Sequence, residues 1–150
     1  MKPETTKSAV RPELLKWADL TVGQALGPVR HRVTARMIRD YAEATGDRHA
    51  WHVGGAPPYA GPVAHPAMAT IFSTRLLGRS GIDRPSGGIH AKHEYEFLGV
   101  VRAGQTLTTT GRIVEKYLRR GRKYIVCEAL TADETGRTVA RCRYTQAMAE

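Results

Sequence analysis

Two side chains able to exchange protons, Asp47 and His52, lie five positions apart, directly after a segment with helical periodicity. The ordinary pKa is about 4 for an aspartic acid and about 6.5 for a histidine, so at neutral pH one group is a base and the other is partly protonated. Such a pair can move protons to and from a reacting group and can hold one water molecule. The same residues also fit a turn-forming aspartate and a surface histidine, so the spacing alone leaves both interpretations open.

The elements that position this pair are predicted from periodicity and from turn-forming residues. Alternating residues favour a short strand over Val29–Val33, and apolar residues at helical spacing favour a helix over residues 35–45. Thr34 is a suitable N-cap for that helix, and Gly46 is a suitable end. Residues 47–64 are rich in glycine and proline, so we expect a long structured loop with no regular helix or strand.

A second helix and a set of strands complete the chain. Pro66 suits the first turn of a helix, and the residues from there to Gly78, which should end it, are apolar nearly all round, so we expect this helix to be buried. Four segments without helical period follow, at Ile89–Leu98, Gln105–Leu118, Lys123–Ala132 and Arg137–Ala147. Glycine-containing and polar connections between them favour an antiparallel meander of hairpins. An apolar helix needs a sheet around it, so we predict an α+β domain in which a curved antiparallel sheet wraps around a long central helix.

The chain has 150 residues, enough for one domain but not for two full ones. We place the domain at residues 21–150 and expect residues 1–20 to form a partly ordered arm. The sequence has neither an apolar run of the roughly 20 residues that span a bilayer nor the apolar core of a signal peptide, so a cytoplasmic protein is expected. Cys127 and Cys142 lie in apolar segments without metal-ligand spacing, which favours buried reduced thiols, and we expect no metal site.

The chain is strongly basic, with 23 lysines and arginines against 14 aspartates and glutamates and a formal net charge of +9. This balance favours acidic partners. Several of the cations lie between Arg112 and Lys123, around a predicted hairpin turn, where they suit either a solvated sheet edge or contact with phosphates or an acidic protein. Nucleic acid is not the expected partner, because the sequence has no helix-turn-helix, zinc-finger or RNA-binding aromatic pattern and aromatic residues make up only 7% of it.

The segment from Thr34 to His52, together with Pro62–His65, resembles the MaoC-like, (R)-specific enoyl-CoA hydratase/dehydratase family of hotdog-fold proteins. The signature of that family reads approximately as an aromatic residue, three residues, Ser or Thr, Gly, Asp, one residue, Asn, Pro, one residue and His. Similar segments begin at Trp17 and continue through Ala103–Leu107 and the closing hairpin, so the resemblance covers most of the chain.

The resemblance implies a hydro-lyase that reversibly adds water to a trans-2-enoyl thioester to give a 3-hydroxyacyl thioester. It implies that Asp47 and His52 hold the catalytic water, and we favour Asp47 as the base and His52 as the acid. The backbone N–H groups of Ala67 and Met68, at the start of the second helix, are candidate donors to the thioester oxygen. His65 is a candidate pocket or substrate-binding residue.

The substrate would carry its acyl group on coenzyme A or on an acyl carrier protein, and no separate cofactor is expected. A homodimer is expected as well, because a half-wrapped helix and a sheet edge leave apolar surface that a second copy would cover.

Two departures from the family pattern keep other functions open. His49 and Ala50 stand where the family has Asn-Pro, and Pro66, which has no N–H, stands where the family has glycine. A non-catalytic protein that binds acyl thioesters, or the inactive subunit of a heterodimer, is therefore an alternative. Hydrolysis of an acyl thioester is a further alternative, because the same two side chains could direct water at a carbonyl.

Overall fold

The computed structural model describes residues 15–82 and 88–148. Most of the predicted arm, residues 1–14, lies outside this range. The end of the arm packs onto the domain: the indole Nε1 of Trp17 donates a hydrogen bond to the carbonyl of Tyr124 at 3.1 Å, and Leu20 is only 1% exposed. Leu20 therefore belongs to the core, and Trp17 packs against it.

Within residues 15–82 and 88–148 the chain forms three α-helices and five strands. The helices are α1 (Ala35–Thr45), α2 (Ala50–Val53) and α3 (Ala69–Arg79), and the strands are β1 (Ala25–Arg32), β2 (Ile89–Phe97), β3 (Thr106–Arg119), β4 (Arg122–Ala132) and β5 (Thr138–Ala147). Helix α1 confirms the predicted range: Thr34 Oγ1 accepts a hydrogen bond from the Met37 N–H at 3.1 Å, and Gly46 ends the helix with a φ of 70°. Strand β1 begins four residues earlier than the sequence indicates.

The strands form one antiparallel sheet in the order β1-β3-β4-β5-β2. Strands β3, β4 and β5 form the expected meander, but the prediction of a hairpin between β2 and β3 is wrong, because β2 pairs with β5 and β3 pairs with β1. The connection over residues 98–105 instead pairs with the segment before α3: the N–H of Ala64 donates to the carbonyl of Val101 at 2.8 Å, and the N–H of Ala103 donates to the carbonyl of Pro62 at 3.1 Å. These hydrogen bonds fix the connection that leads from β2, at one edge of the sheet, to β3 next to the other edge.

Helix α3 packs one face against the sheet. Its buried residues are Ala69, Phe72, Ser73, Leu76 and Leu77. The opposite side carries exposed Arg75 and Arg79, so the prediction of a helix that is apolar nearly all round is wrong. Gly78 does not end the helix, which continues to Arg79 before the turn at Ser80. One buried stripe suffices because the sheet covers only one side of the helix.

The sheet approaches α3 closely where it lacks side chains. A Cβ added at Gly111 would lie 2.6 Å from Leu76 Cδ2, and one added at Gly27 would lie 2.9 Å from Leu76 Cδ1. Strands β1 and β3 therefore accommodate the leucine only because both positions are glycine. The α+β class and the single antiparallel sheet packed against a helix confirm the predicted fold class.

Candidate active site

Asp47 leaves helix α1 through a tight turn that fixes its side chain. The left-handed conformation of Gly46 turns the chain, and the N–H of Asp47 donates to the carbonyl of Ala42 at 2.8 Å. The carboxylate Oδ1 of Asp47 then accepts the N–H of His49 at 2.9 Å. This is the local turn that an aspartate after Thr-Gly favours. It occupies one carboxylate oxygen and leaves Oδ2 for other partners.

His52 is placed by a one-turn helix that the sequence did not indicate. Helix α2 lies within the predicted irregular loop, which is a correction: its four residues include no glycine or proline, and His49 Nδ1 caps it by accepting the N–H of Trp51 at 3.3 Å. His52 is only 7% exposed, and its Nδ1 donates to the carbonyl of Val63 at 2.7 Å. Its Nε2 lies 3.4 Å from Asp47 Oδ2.

His65 lies on the other side of the same carboxylate. Its Nε2 is 3.7 Å from Asp47 Oδ2, and its ring centroid is 5.4 Å from that of His52. His65 Nδ1 accepts the N–H of Ala67 at 3.1 Å and so caps the short 3₁₀ turn before α3. The sequence suggested a pocket-lining histidine here but gave no indication that it approaches Asp47.

The hydrogen-bond partners assign opposite tautomers to the two neutral histidines. His52 donates from Nδ1, so its Nε2 presents a lone pair to Asp47; His65 accepts at Nδ1, so its Nε2 presents an N–H. The pKa of Asp47 is lowered, chiefly by the hydrogen bond from the His49 N–H and further by the positive charge that His52 and His65 can carry, whereas desolvation acts in the opposite direction. Asp47 is therefore ionised at neutral pH and can accept a proton.

The backbone groups predicted as oxyanion donors both have acceptors within the chain. The N–H of Ala67 donates to His65 Nδ1, and the N–H of Met68 donates to the carbonyl of His65 at 2.9 Å. Pro66 supplies no N–H, so the turn satisfies its first donors with its own capping histidine. The free donors expected at this position are thus engaged in this structure.

A cavity of about 230 Å³ is lined by both histidines. Most of its other lining residues are apolar, Phe72, Val101 and Val139 among them. No lysine, arginine, aspartate or glutamate lines it within the described part of the chain. The cavity therefore suits an uncharged apolar group whose reacting end lies beside the histidines.

A larger depression of about 730 Å³ lies elsewhere, over strands β2 to β5. Its charged residues neutralise one another: Glu128 accepts from Arg112 at 3.2 Å and from Arg143 at 2.7 Å, and Glu96 accepts from Arg141 at 3.2 Å. Because these charges are paired, few of them are free to bind a charged ligand. His52 and His65 line the smaller cavity and not this depression, so the smaller cavity is the better candidate for the active site.

In residues 15–82 and 88–148, no set of three or more His, Cys, Asp or Glu side chains is arranged to hold a metal ion. In the same residues, the helices are too short and too polar to cross a membrane. Cys127 and Cys142 are buried, free thiols, and burial raises the pKa of Cys127 to about 12.

The chain is similar to a known family and to a protein of a second organism. The family described as "FAS1-like, dehydratase domain region" matches residues 20–142. A UPF0336 protein of Streptomyces griseus is 29% identical over 129 residues, which cover 79% of this chain and 85% of the relative.

Solved structures extend the comparison to the fold. A MaoC-like dehydratase from Rhodospirillum rubrum has a TM-score of 0.72 and 24% identity, covering 89% of this chain and 96% of that one. The R-hydratase PhaJ1 from Pseudomonas aeruginosa has a TM-score of 0.77 and 17% identity, covering 91% of this chain and 87% of that one. The chain therefore belongs to the family described as "FAS1-like, dehydratase domain region", and it shares its fold with the MaoC-like dehydratase and the R-hydratase.

Proposed function

We propose that the protein reversibly hydrates a trans-2-enoyl thioester, carried on coenzyme A or an acyl carrier protein, to a 3-hydroxyacyl thioester. The observation that carries the proposal is the 3.4 Å approach of Asp47 Oδ2 to Nε2 of His52, a histidine that lines an apolar cavity. Membership of a dehydratase family supports the same reaction class. The thioester and its double bond would lie beside the two side chains, with the acyl chain along the apolar wall.

The reactive form of the pair is the Asp47 carboxylate with the His52 imidazolium. Water donates a proton to Asp47 Oδ2 as its oxygen bonds to C3 of the enoyl group, and His52 Nε2 delivers its proton to C2. Asp47 is then protonated and His52 neutral, and proton transfer between the two restores the starting state. The carbonyl of Val63, which accepts from His52 Nδ1, holds the imidazole in place and stabilises its positive charge.

The thioester oxygen gains negative charge during this step and needs a hydrogen-bond donor. We retain Ala67 and Met68 as the proposed donors. To bind the substrate oxygen, the N–H of Ala67 must release His65 Nδ1, and the N–H of Met68 must release the carbonyl of His65. Both changes are small rearrangements at the start of α3.

The test is the loss of absorbance of the enoyl-thioester band with crotonyl-CoA and with longer and branched 2-enoyl-CoA substrates. We expect turnover by the wild type and a loss on the order of 10²–10⁴ in kcat for Asp47→Asn and for His52→Gln. Arg36→Gln, on an exposed part of α1, serves as the control and should retain wild-type turnover. Turnover that survives Asp47→Asn would contradict the proposal.

The engaged N–H groups of Ala67 and Met68 favour one alternative, a non-catalytic protein that binds acyl thioesters or serves as the inactive subunit of a heterodimer. Equal binding of enoyl-CoA by the wild type and Asp47→Asn, without turnover by either, would support it. The second alternative, hydrolysis, would release free coenzyme A thiol from a saturated acyl-CoA, which a thiol reagent detects. One observation opposes the non-catalytic alternative. His49 still orders the loop between Asp47 and His52, because its N–H donates to Asp47 Oδ1 and its Nδ1 accepts the N–H of Trp51.

We also propose that the protein forms a homodimer through strand β2. This strand pairs only with β5 among the described strands, and exposed Ile89, Phe97 and Leu98 lie along it or at its end. A second copy could pair with the free edge and cover these side chains. Light scattering should give twice the chain mass of 16.5 kDa, and Phe97→Asp should lower it. A monomeric wild type at tens of micromolar would contradict the dimer.

A further inference from the structure

A second cavity, of about 450 Å³, lies between strand β1 and helix α3 and is strongly basic. Arg30, His31 and Arg32 border it from the strand, and Arg75 and Arg79 border it from the helix. We call it the basic cleft. It shares no lining residue with the candidate active site. Phe72 separates the two, since its ring lies 5.3 Å from that of His31 while also lining the active-site cavity.

The arginines of the basic cleft differ from those on the sheet. Arg112, Arg141 and Arg143 each contact a glutamate, as described above. None of the four cleft arginines forms an ion pair with any residue in 15–82 or 88–148, and no carboxylate from those residues lines the cleft. Four unneutralised positive charges at one cavity are unfavourable to one another, and a bound anion would remove that repulsion.

His31 is a further feature of the basic cleft. It is only 8% exposed, and its Nε2 is buried without a hydrogen-bond partner. Buried polar groups normally have partners, so the cleft is lined by an imidazole that has one unsatisfied nitrogen. The pKa of His31 is lowered by burial and then by the positive charges of Arg75 and Arg79, while a hydrogen bond with the Phe72 backbone acts in the opposite direction.

We propose that the basic cleft binds a small molecule bearing two or more phosphate charges. Guanidinium groups bind phosphate oxygens through paired, charge-assisted hydrogen bonds, and a positive charge on a protonated His31 beside them would add to the attraction. The volume lies within the range of small-molecule sites. The proposal is independent of the hydratase reaction, because none of these residues belongs to the Asp47 and His52 site.

A bound anion would reverse the electrostatics at His31. The charged groups that border the cleft with it are Arg75 and Arg79 from α3 and Arg30 and Arg32 from β1, all of them cations, and Met37 from α1 adds none. Without a ligand, burial and then Arg75 and Arg79 disfavour the imidazolium, whereas phosphate oxygens would favour it. Binding should therefore raise the pKa of His31 and should be tighter at lower pH.

The test measures calorimetric binding of inorganic pyrophosphate and of adenosine 3′,5′-bisphosphate at low ionic strength, together with the ring resonances of His31 by NMR. His31→Gln assigns the resonance. We expect saturable binding, a shift of the His31 resonance on titration, and at least tenfold weaker binding by the double variant Arg75→Gln/Arg79→Gln. The matched control, Arg119→Gln/Arg122→Gln, removes two exposed cations from the β3–β4 hairpin and should bind within twofold of the wild type.

The two ligands distinguish the sources of phosphate. Tighter binding of the bisphosphate assigns the cleft to a nucleotide-bearing molecule, and equal or tighter binding of pyrophosphate assigns it to a polyphosphate. If the cleft variant and the hairpin variant weaken ligand binding equally, the effect comes from the net charge of the protein, and the proposal is overturned. Absence of any response at His31 would overturn it as well. Hydration of crotonyl-CoA, measured in parallel, reports separately on the proposed function.

Discussion

His52 and His31 are buried to nearly the same extent, at 7% and 8% exposure, yet their surroundings are opposite. His52 has an acceptor at each nitrogen, the carbonyl of Val63 and the carboxylate of Asp47. His31 faces Arg75 and Arg79 and has an Nε2 without a partner. Burial alone therefore does not determine what a histidine can do. A carboxylate beside His52 gives that imidazole a partner for proton transfer, whereas burial and then the charges of Arg75 and Arg79 lower the pKa of His31.

The largest expected effect separates these two histidine sites by activity. Asp47→Asn retains the shape of the turn but removes the proton acceptor beside His52, so kcat for enoyl-thioester hydration should fall on the order of 10²–10⁴. His31→Gln alters a residue of similar burial and should change kcat by less than about threefold. Spectrophotometric assay of both variants, with melting curves to verify folding, checks the contrast. A comparable loss in His31→Gln would show that the two regions are not functionally separate.

A second prediction concerns stability, because buried histidines without an anionic partner disfavour protonation. Burial and the charge of His90 lower the pKa of His93 to about 4, and the pKa of His31 is also lowered. Between about pH 6.5 and these lowered values the unfolded chain binds protons that the folded chain does not, so stability falls as the pH decreases. For His93 the full shift corresponds to about 3 kcal/mol, and partial exposure reduces it to about 2 kcal/mol.

Urea unfolding at a series of pH values between 6.5 and 4.5 measures this slope. His93→Gln should remove the larger part of it, and His31→Gln a smaller part. The ring of His93 is surrounded by uncharged groups apart from His90: its Nδ1 lies 3.1 Å from the Tyr95 hydroxyl, and the Tyr144 ring lies 5.3 Å away. A wild-type stability that is constant across the range would contradict the prediction.

The two regions differ in how far the sequence could predict them. Asp47 and His52 are close in the chain, and the cap at Thr34 and the turn at Gly46 fix the helix that leads to them, so local patterns predicted their approach. Helix α2 was missed because Gly54 and the prolines beyond it dominate the composition of that segment. The approach of His65 depends on the pairing of the 62–64 segment with residues 101–103, which no local pattern indicates.

The basic cleft could not be predicted from local sequence. Arg30 and Arg32 lie about 45 residues before Arg75 and Arg79, among 23 basic residues that are otherwise similar. Their convergence depends on α3 packing next to β1, and the sheet order was itself predicted incorrectly. Gly99 and Gly104 suggest a hairpin turn, whereas their segment connects β2 and β3, which are not neighbours in the sheet. Long-range strand pairing thus limited both the fold and the site predictions.

A third prediction concerns the cause of the lowered pKa of Asp47. The φ of His49 is −62°, which suits proline, so His49→Pro should preserve the turn while removing the N–H that bonds to Asp47 Oδ1. That bond is the main cause of the lowered pKa of Asp47. Its loss should raise the pKa, so the acidic limb of the pH profile of kcat/KM should move to higher pH, with a change of less than tenfold at neutral pH.

His49→Ala is the matched control for this substitution, because it also removes the imidazole that caps α2 but keeps the backbone N–H. Its acidic limb should move much less than that of His49→Pro, because the charge of His49 is a smaller cause of the lowered pKa of Asp47 than the N–H group is. A shift of equal size in both variants would assign the effect to the side chain of His49 rather than to its N–H group.

The smallest expected effect tests whether cations, rather than burial alone, keep His31 neutral. Arg75→Gln removes the cation that contributes more than Arg79 to the lowered pKa of His31, so that pKa should rise toward the ordinary histidine value. NMR titration of the His31 ring measures the change, and Arg36→Gln, whose guanidinium pairs with Asp40 on α1, should produce none. Salt screens charges between partly exposed groups, so the difference between Arg75→Gln and the wild type should shrink as ionic strength increases. An unchanged His31 titration in Arg75→Gln would leave burial as the only cause, and the electrostatic contrast with His52 would then lose its basis.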